Sequence, residues 1–394
     1  MKKIKTDSWI FKISLLSISL LLMSAPQISS ALPMMYSSFP NETHSAVETL
    51  STIPNVGIVL GLIISPISIK FLGTKKNIML GLIILLLSGT FPIYSTSYIL
   101  VLISRFLLGF GIGMFNSLAV SLISLFYQKE ELATMLGFQN SAGNLGAAIL
   151  SFIVGYLAQF GWHATFAIYL LAVPVILLFG SVVKIPDDSD IPSDDDKTVN
   201  KSNKINISVI EISVLMFLLY VFFMPMTYKL PELITSEKLG TVSQVAIVSG
   251  ITTLIGIPIG MIYGFIKKRI HNLVLPLGLL LQTLGLFLIA NAPNLSILLI
   301  SAIILGSGFG ITIPDIFNWL DNSAPKDSVN FATTISLVFV NIGCFASPSI
   351  INYLGSILGN GSPKSDMIVS GFGMLILFIF GIYHYIRVFN KGND

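Results

Sequence analysis

The sequence is poor in the side chains that most chemistry needs. It has one cysteine, Cys344, in 394 residues, so no disulfide can close within the chain. Its four histidines, His44, His163, His271 and His384, are scattered, and no Cys/His metal-ligand spacing occurs. Charged residues make up 10%, against about 25% in an ordinary soluble protein. No Ser/His/Asp set, Gly-rich phosphate loop or ATP-binding motif is present. An enzyme, a primary pump within this chain and a nucleic-acid binder are therefore not expected, and no cofactor is called for.

What fills the chain instead is apolar. Hydrophobic residues reach 54%, with 27 phenylalanines. A spanning helix needs roughly 20 mostly apolar residues. Twelve stretches qualify, at about 10–36, 46–71, 77–95, 98–126, 131–159, 163–183, 208–233, 241–266, 272–291, 295–319, 327–354 and 365–389. The first follows Lys2, Lys3, Lys5 and Lys12 and contains a signal-peptidase-like "SSA" at 29–31. It runs on through "LPMMY" and is long enough to span, so it is read as a helix. With the N-terminus inside, eighteen of the 22 lysines and arginines fall on the cytoplasmic side. Lys229, Lys238 and Lys364 fall outside, and Arg105 lies within a span. Both termini are expected in the cytoplasm of a cell-membrane protein.

One long polar break runs from Lys184 to Ile207, with Asp187, Asp188, Asp190, Asp194, Asp195 and Asp196 in a Pro/Ser-rich setting. It lacks the loop pattern of a calcium site and reads as a solvated linker. The expected organisation is a six-helix half over 1–183, an acidic cytoplasmic linker over 184–207 and a second half over 208–394.

The halves resemble each other. Offset by 197 residues, Ile103 pairs with Ile300, Gly109 with Gly306, Gly111 with Gly308 and Gly113 with Gly310. The same offset pairs Gly81-Leu82 with Gly278-Leu279, Asn144 with Asn341, Gly146 with Gly343 and Tyr156-Leu157 with Tyr353-Leu354. Chance does not keep one offset across several separate helices. An even number of spans per copy makes the copies parallel, related by an axis along the membrane normal.

These residues resemble the major facilitator superfamily. Arg105-x-x-x-Gly109-x-Gly111 is similar to that family's R-x-x-x-G-x-G in the fourth helix. "GWHATF", from Gly161 to Phe166, is similar to its G-W-R-x-x-F, with His163 in the arginine place. The loop "PISIKFLGTKK" from Pro66 keeps Gly73 and Lys75 of the family pattern but has Lys70 where the family has aspartate. The branch nearest in pattern is the drug/proton antiporters, although only Gly146 survives of their fifth-helix motif. The resemblance implies an all-α membrane protein of two pseudo-symmetric six-helix bundles. It implies alternating access, a cavity lined by the first, fourth, seventh and tenth helices, and a monomer working on a small-molecule substrate and protons within the lipid bilayer.

Arg105 stands about 10 Å inside the fourth segment, too deep to face lipid cheaply. It either tunes an acid or substrate as an electrostatic pivot, or is pinned to carbonyls of another helix. Gly109 and Gly113 share its face, and with Gly306 and Gly310 they read as close-packing positions. Proton coupling needs a titratable carboxyl in the path, and the candidates are Glu48 and Asp315, each otherwise an interfacial charge. Gln27, Asn116, Asn140, Asn144 and Asn341 are the amides that either bond substrate in the cavity or hold helices together. With no cationic cluster beyond Arg105, a small amphipathic solute fits better than a multiply anionic one. Proton-coupled efflux is the leading expectation. Uptake, facilitated diffusion or a non-transporting sensor are the alternatives.

Overall fold

Long apolar runs have one stable answer in lipid, where every backbone group must find its partner within its own segment. The computed structural model describes residues 8–185, 206–325 and 328–391, and they are helical nearly throughout. In the first half, α1 is a bent pair, Trp9–Leu21 and Ala25–Ser38, with a 50° break between them. It is followed by α2 (His44–Leu72), α3 (Thr74–Ile93), α4 (Tyr98–Phe126), α5 (Lys129–Leu157) and α6 (Trp162–Val182). The second half holds α7 (Ile207–Ser236), α8 (Val242–Ile270), α9 (Val274–Ala290), α10 (Leu295–Ser323), α11 (Val329–Leu358) and α12 (Pro363–Lys391).

By length and hydropathy ten helical stretches are able to cross a membrane, and eleven when the bent α1 is joined. One of the ten, Val242–Ala290, is 49 residues long. Straight, it would measure about 70 Å, more than twice a hydrocarbon core. It is broken at His271, whose φ of 50° ends α8 and lets α9 begin. Among the described residues twelve segments result, as the sequence leads one to expect.

Local chemistry sets the ends. Ser8, Thr43, Asn206 and Asn294 each cap a helix, accepting from the backbone N–H of Phe11, Ala46, Val209 and Ile297. Gly73 (φ 80°) alone separates α2 from α3, and Gly161 (φ 100°) precedes α6, two reversals that a residue with a Cβ makes at a cost.

The chain divides into two compact units, Met1–Asn200 and Lys201–Asp394. The acidic linker expected over 184–207 lies, from 186 to 205, outside the described residues. Inside the first unit α4 packs on α2 and α3, α5 on α1, and α6 on α3. Inside the second, α10 packs on α8 and α9, α11 on α7, and α12 on α9. The repeat is legible at atomic scale. A Cβ on Gly111 would stand 2.7 Å from the Gly81 carbonyl oxygen, and one on Gly308 2.7 Å from that of Gly278. A Cβ on Gly146 would meet Leu20 O at 2.6 Å, and one on Gly343 would meet Phe217 O at 2.6 Å. Leu20 and Phe217 are themselves 197 residues apart. Helix backbones therefore touch at matching places in both units, which is how helices associate where lipid removes the hydrophobic drive. Apolar side chains such as Leu87, Leu177 and Ile376 point outward, as they must against lipid.

Candidate transport site

Each unit begins with a helix interrupted by proline, and each interruption leaves carbonyls that need donors. In α1, Pro26 lies just after the break, and residues Ser17–Leu21 and Ala25–Ala31 are 3-10 helix. The Gln27 side chain donates back to Met23 O at 2.9 Å, so this amide serves its own helix. In α2, Pro54 has no N–H for the carbonyl four residues earlier, that of Leu50. Arg105 supplies that donor: its Nε reaches Leu50 O at 2.9 Å. Its Nη1 donates to the Tyr169 hydroxyl at 2.6 Å, and its Nη2 donates to Ala25 O. Tyr169 in turn donates to Ser24 O. The guanidinium is fully enclosed and lies 5.8 Å from the ring centres of both Phe166 and Tyr169. One fork on α4 thus holds α1, α2 and α6. Among the described residues no carboxylate stands within ion-pair distance of it.

Glu48, in the first turns of α2, is fully enclosed and accepts from the Tyr36 hydroxyl at 3.2 Å. It is a buried acid rather than a loop charge. Gly109 abuts the backbone of Pro54, and a Cβ on Gly113 would stand 2.8 Å from Gly61 Cα. In the second unit a Cβ on Gly306 would meet Thr252 O at 2.5 Å, and one on Gly310 would meet Gly256 Cα at 3.2 Å.

The same device recurs in α7 with different residues. Pro225 leaves the Val221 carbonyl without its helical donor, and the Ser347 hydroxyl of α11 fills it at 2.6 Å. Ser347 also bonds the Tyr228 hydroxyl at 2.9 Å. One residue on stands Lys229, which charge placement puts on the outer side of the membrane. Its side chain is enclosed, 2% exposed, with Nζ 2.9 Å from Asp366 Oδ2 on α12. Nζ also donates to Asn352 Oδ1 on α11 at 2.9 Å and lies 3.6 Å from Glu232 Oε2. Arg105 is thus not the only buried cation among the described residues. The signal in the sequence was a lone lysine inside an apolar run between Pro225 and Pro231. Asp366, three residues into a helix, reads from sequence as an ordinary first-turn acid, and Asn352 carries no mark at all.

Asp315 is not at the centre of α10 but two turns from its end, where Lys267 of α8 binds it at 2.7 Å. The Tyr263 hydroxyl donates to the same oxygen at 2.9 Å, and Asn318 donates to Tyr263. This acid closes α8 onto α10.

Of the candidate cavity amides, Asn341 donates to Leu337 O in its own helix. Asn116 and Asn144 are half-buried and Asn140 is exposed. On α7 and α10, Phe309 stacks on Phe223 at 4.2 Å and meets Tyr220 edge-on at 5.7 Å, an aromatic group able to flank a weakly polar molecule. Among the described residues no cluster of His, Cys, Asp or Glu fit to hold a metal ion occurs.

A family model described as Major Facilitator Superfamily matches residues 13–348, and again 212–389. A curated relative, "Protein TsgA homolog" of Buchnera aphidicola subsp. Schizaphis graminum (strain Sg), is 26% identical over 185 residues. That match takes in 45% of this chain and 46% of the relative, so the chain aligns with about half of that protein's length. Among solved structures, a mutant of the nucleoside transporter NupG superposes with a TM-score of 0.79 at 12% identity, over 95% of this chain and 99% of that one. A D-xylose-proton symporter gives 0.72 at 15% identity, over 95% and 97%. A POT family transporter in complex with 5-aminolevulinic acid gives 0.75 at 12% identity, over 96% of each chain. At such identities these structures speak for the fold.

Proposed function

The chain belongs to the Major Facilitator Superfamily, a family and fold of transporters, and on that premise we propose that it moves a small, weakly polar molecule across the cell membrane in exchange for protons. The observation that carries this reading is the pair of proline-containing helices, α1 and α7, whose backbone ladders are supplemented near the prolines by enclosed polar groups from other helices. A span built that way has more than one arrangement open to it, and alternating access asks that of the helices beside the solute. The halves 1–183 and 208–394, joined by the cytoplasmic linker, would rock against each other, with both termini inside and a monomer as the working unit.

Arg105 takes a positioning role in this reading, keeping the break of α1 in register with α2 and α6. Glu48, enclosed and bonded to a tyrosine, is the proton-carrying acid of the first half. Asp315 is the latch of α8 on α10. Asn116, Asn140 and Asn144 are the polar contacts for the solute.

The direction we assign is outward. A second reading, inward proton symport, draws its support from the likeness to the D-xylose-proton symporter. Flux of a compound panel in everted and right-side-out vesicles, with and without an imposed pH gradient, tests both. Accumulation in everted vesicles driven by interior acidity supports export. Gradient-driven accumulation only in right-side-out vesicles supports the second reading, and flux indifferent to the gradient removes proton coupling.

A further inference from the structure

We propose that Lys229, Glu232 and Asp366 form a binding site for one exchangeable proton in the second half of the molecule. The proposal rests on the proton-coupled reading for its role in transport, but not for its chemistry.

The site is defined by what surrounds Asp366. Its side chain is fully enclosed. Oδ2 lies 2.9 Å from the Lys229 ammonium as an ion pair, and both carboxylate oxygens are buried without a well-formed hydrogen bond, Oδ1 with no cation beside it either. Oδ1 is pressed against Gly355 of α11, where a Cβ would collide with it, so neither a side chain nor solvent enters from that side. A buried carboxylate oxygen with nothing donating to it is the costliest kind of polar atom, and a proton is the smallest group able to satisfy it.

The charge count points the same way. The charged groups acting on Asp366 are Lys229 and Glu232, both from α7. α9 and α11, which pack on α12, contain no charged residue, and those of α8 lie at its far end. The nearest other charge on α12 itself is Lys364. Two carboxylates therefore face one ammonium. With both ionised the enclosure carries a net negative charge; with one proton added it is neutral. Glu232, 14% exposed, is the more open of the two acids, and Asp366 is fully enclosed. A proton thus enters at Glu232 and is held between the two acids, with Lys229 as the fixed counter-charge. Because Lys229 sits between Pro225 and Pro231, a proton that neutralises Asp366 loosens the tie between α7 and α12. Proton occupancy is in this way joined to the freedom of the broken span.

The test is a proton titration of the full-length protein in detergent, by potentiometry over the neutral range and by infrared difference spectroscopy of the protonated-carboxyl C=O stretch. Wild type should bind one proton with a matching carboxyl band. Glu232→Gln and Asp366→Asn each leave one acid facing Lys229, and each should lose that proton and its band. Lys229→Gln leaves two acids without a counter-charge and should bind two. Glu232 is the least enclosed of the three, so Glu232→Gln keeps the test open where the other variants fail to fold. The same proton count and band in wild type and Glu232→Gln would overturn the site. A titration that follows the predicted pattern beside gradient-independent flux would leave the site standing and remove the coupled-transport reading. Gradient-driven flux beside an unchanged Glu232→Gln titration would do the reverse.

Discussion

The ammonium of Lys229 lies 2.9 Å from Oδ2 of Asp366, and neither side chain reaches solvent. They sit on α7 and α12, 137 positions apart in the chain, and tie the broken span to the last one. Removing one partner strands the other. Lys229→Met should destabilise the protein by about 3–5 kcal/mol less whatever Asp366 recovers by taking up a proton. The double variant Lys229→Met/Asp366→Leu should be more stable than Lys229→Met alone. Thermal unfolding in detergent checks the order, and a double variant no better than the single would show that the pair is not the source of the loss.

Arg105 distinguishes charge from geometry. Arg105→Ala leaves the Leu50 and Ala25 carbonyls without this donor, at about 1–3 kcal/mol each, and should insert but not transport. Arg105→Lys keeps the charge but not the fork that reaches three acceptors on three helices, and it should fail as well. Transport restored by lysine would return the residue to the role of a simple electrostatic pivot.

The glycine contacts give a matched pair of tests with internal controls. Gly111→Ala and Gly308→Ala each press a methyl onto a carbonyl of the neighbouring helix and should each lose about 1–3 kcal/mol. Gly137→Ala and Gly264→Ala meet nothing within 4 Å and should stay within about 0.5 kcal/mol of wild type. Unfolding midpoints of the four variants read this directly.

The two acids singled out from sequence should part company. Asp315 is committed to Lys267, whose side chain is 28% exposed. A double-mutant cycle with Asp315→Asn and Lys267→Gln should give a coupling of about 1 kcal/mol that shrinks as salt rises. Asp315→Asn should keep its response to an imposed pH gradient in vesicles, whereas Glu48→Gln should lose it. Equal losses in both would make Asp315 a coupling residue after all.

What the sequence by itself determined is everything that follows from period, length and local stereochemistry. Apolar runs of spanning length gave the twelve helices, prolines their breaks, and asparagine, serine and threonine caps their starts. The 197-residue offset gave the duplication, and glycines on one face gave the packing ridges, because each of these properties is written within a few turns of one chain segment. Tertiary structure alone decided which charges are partners. Arg105 reads as either a pivot or a charge pinned to carbonyls until the Leu50 carbonyl, orphaned by Pro54, is seen beside it. Lys229 reads as a cation at the outer side until the packing of α7 and α12 brings it to Asp366. Burial and pairing of a charge depend on helices far apart in sequence, and only their packing in space fixes which groups lose water together.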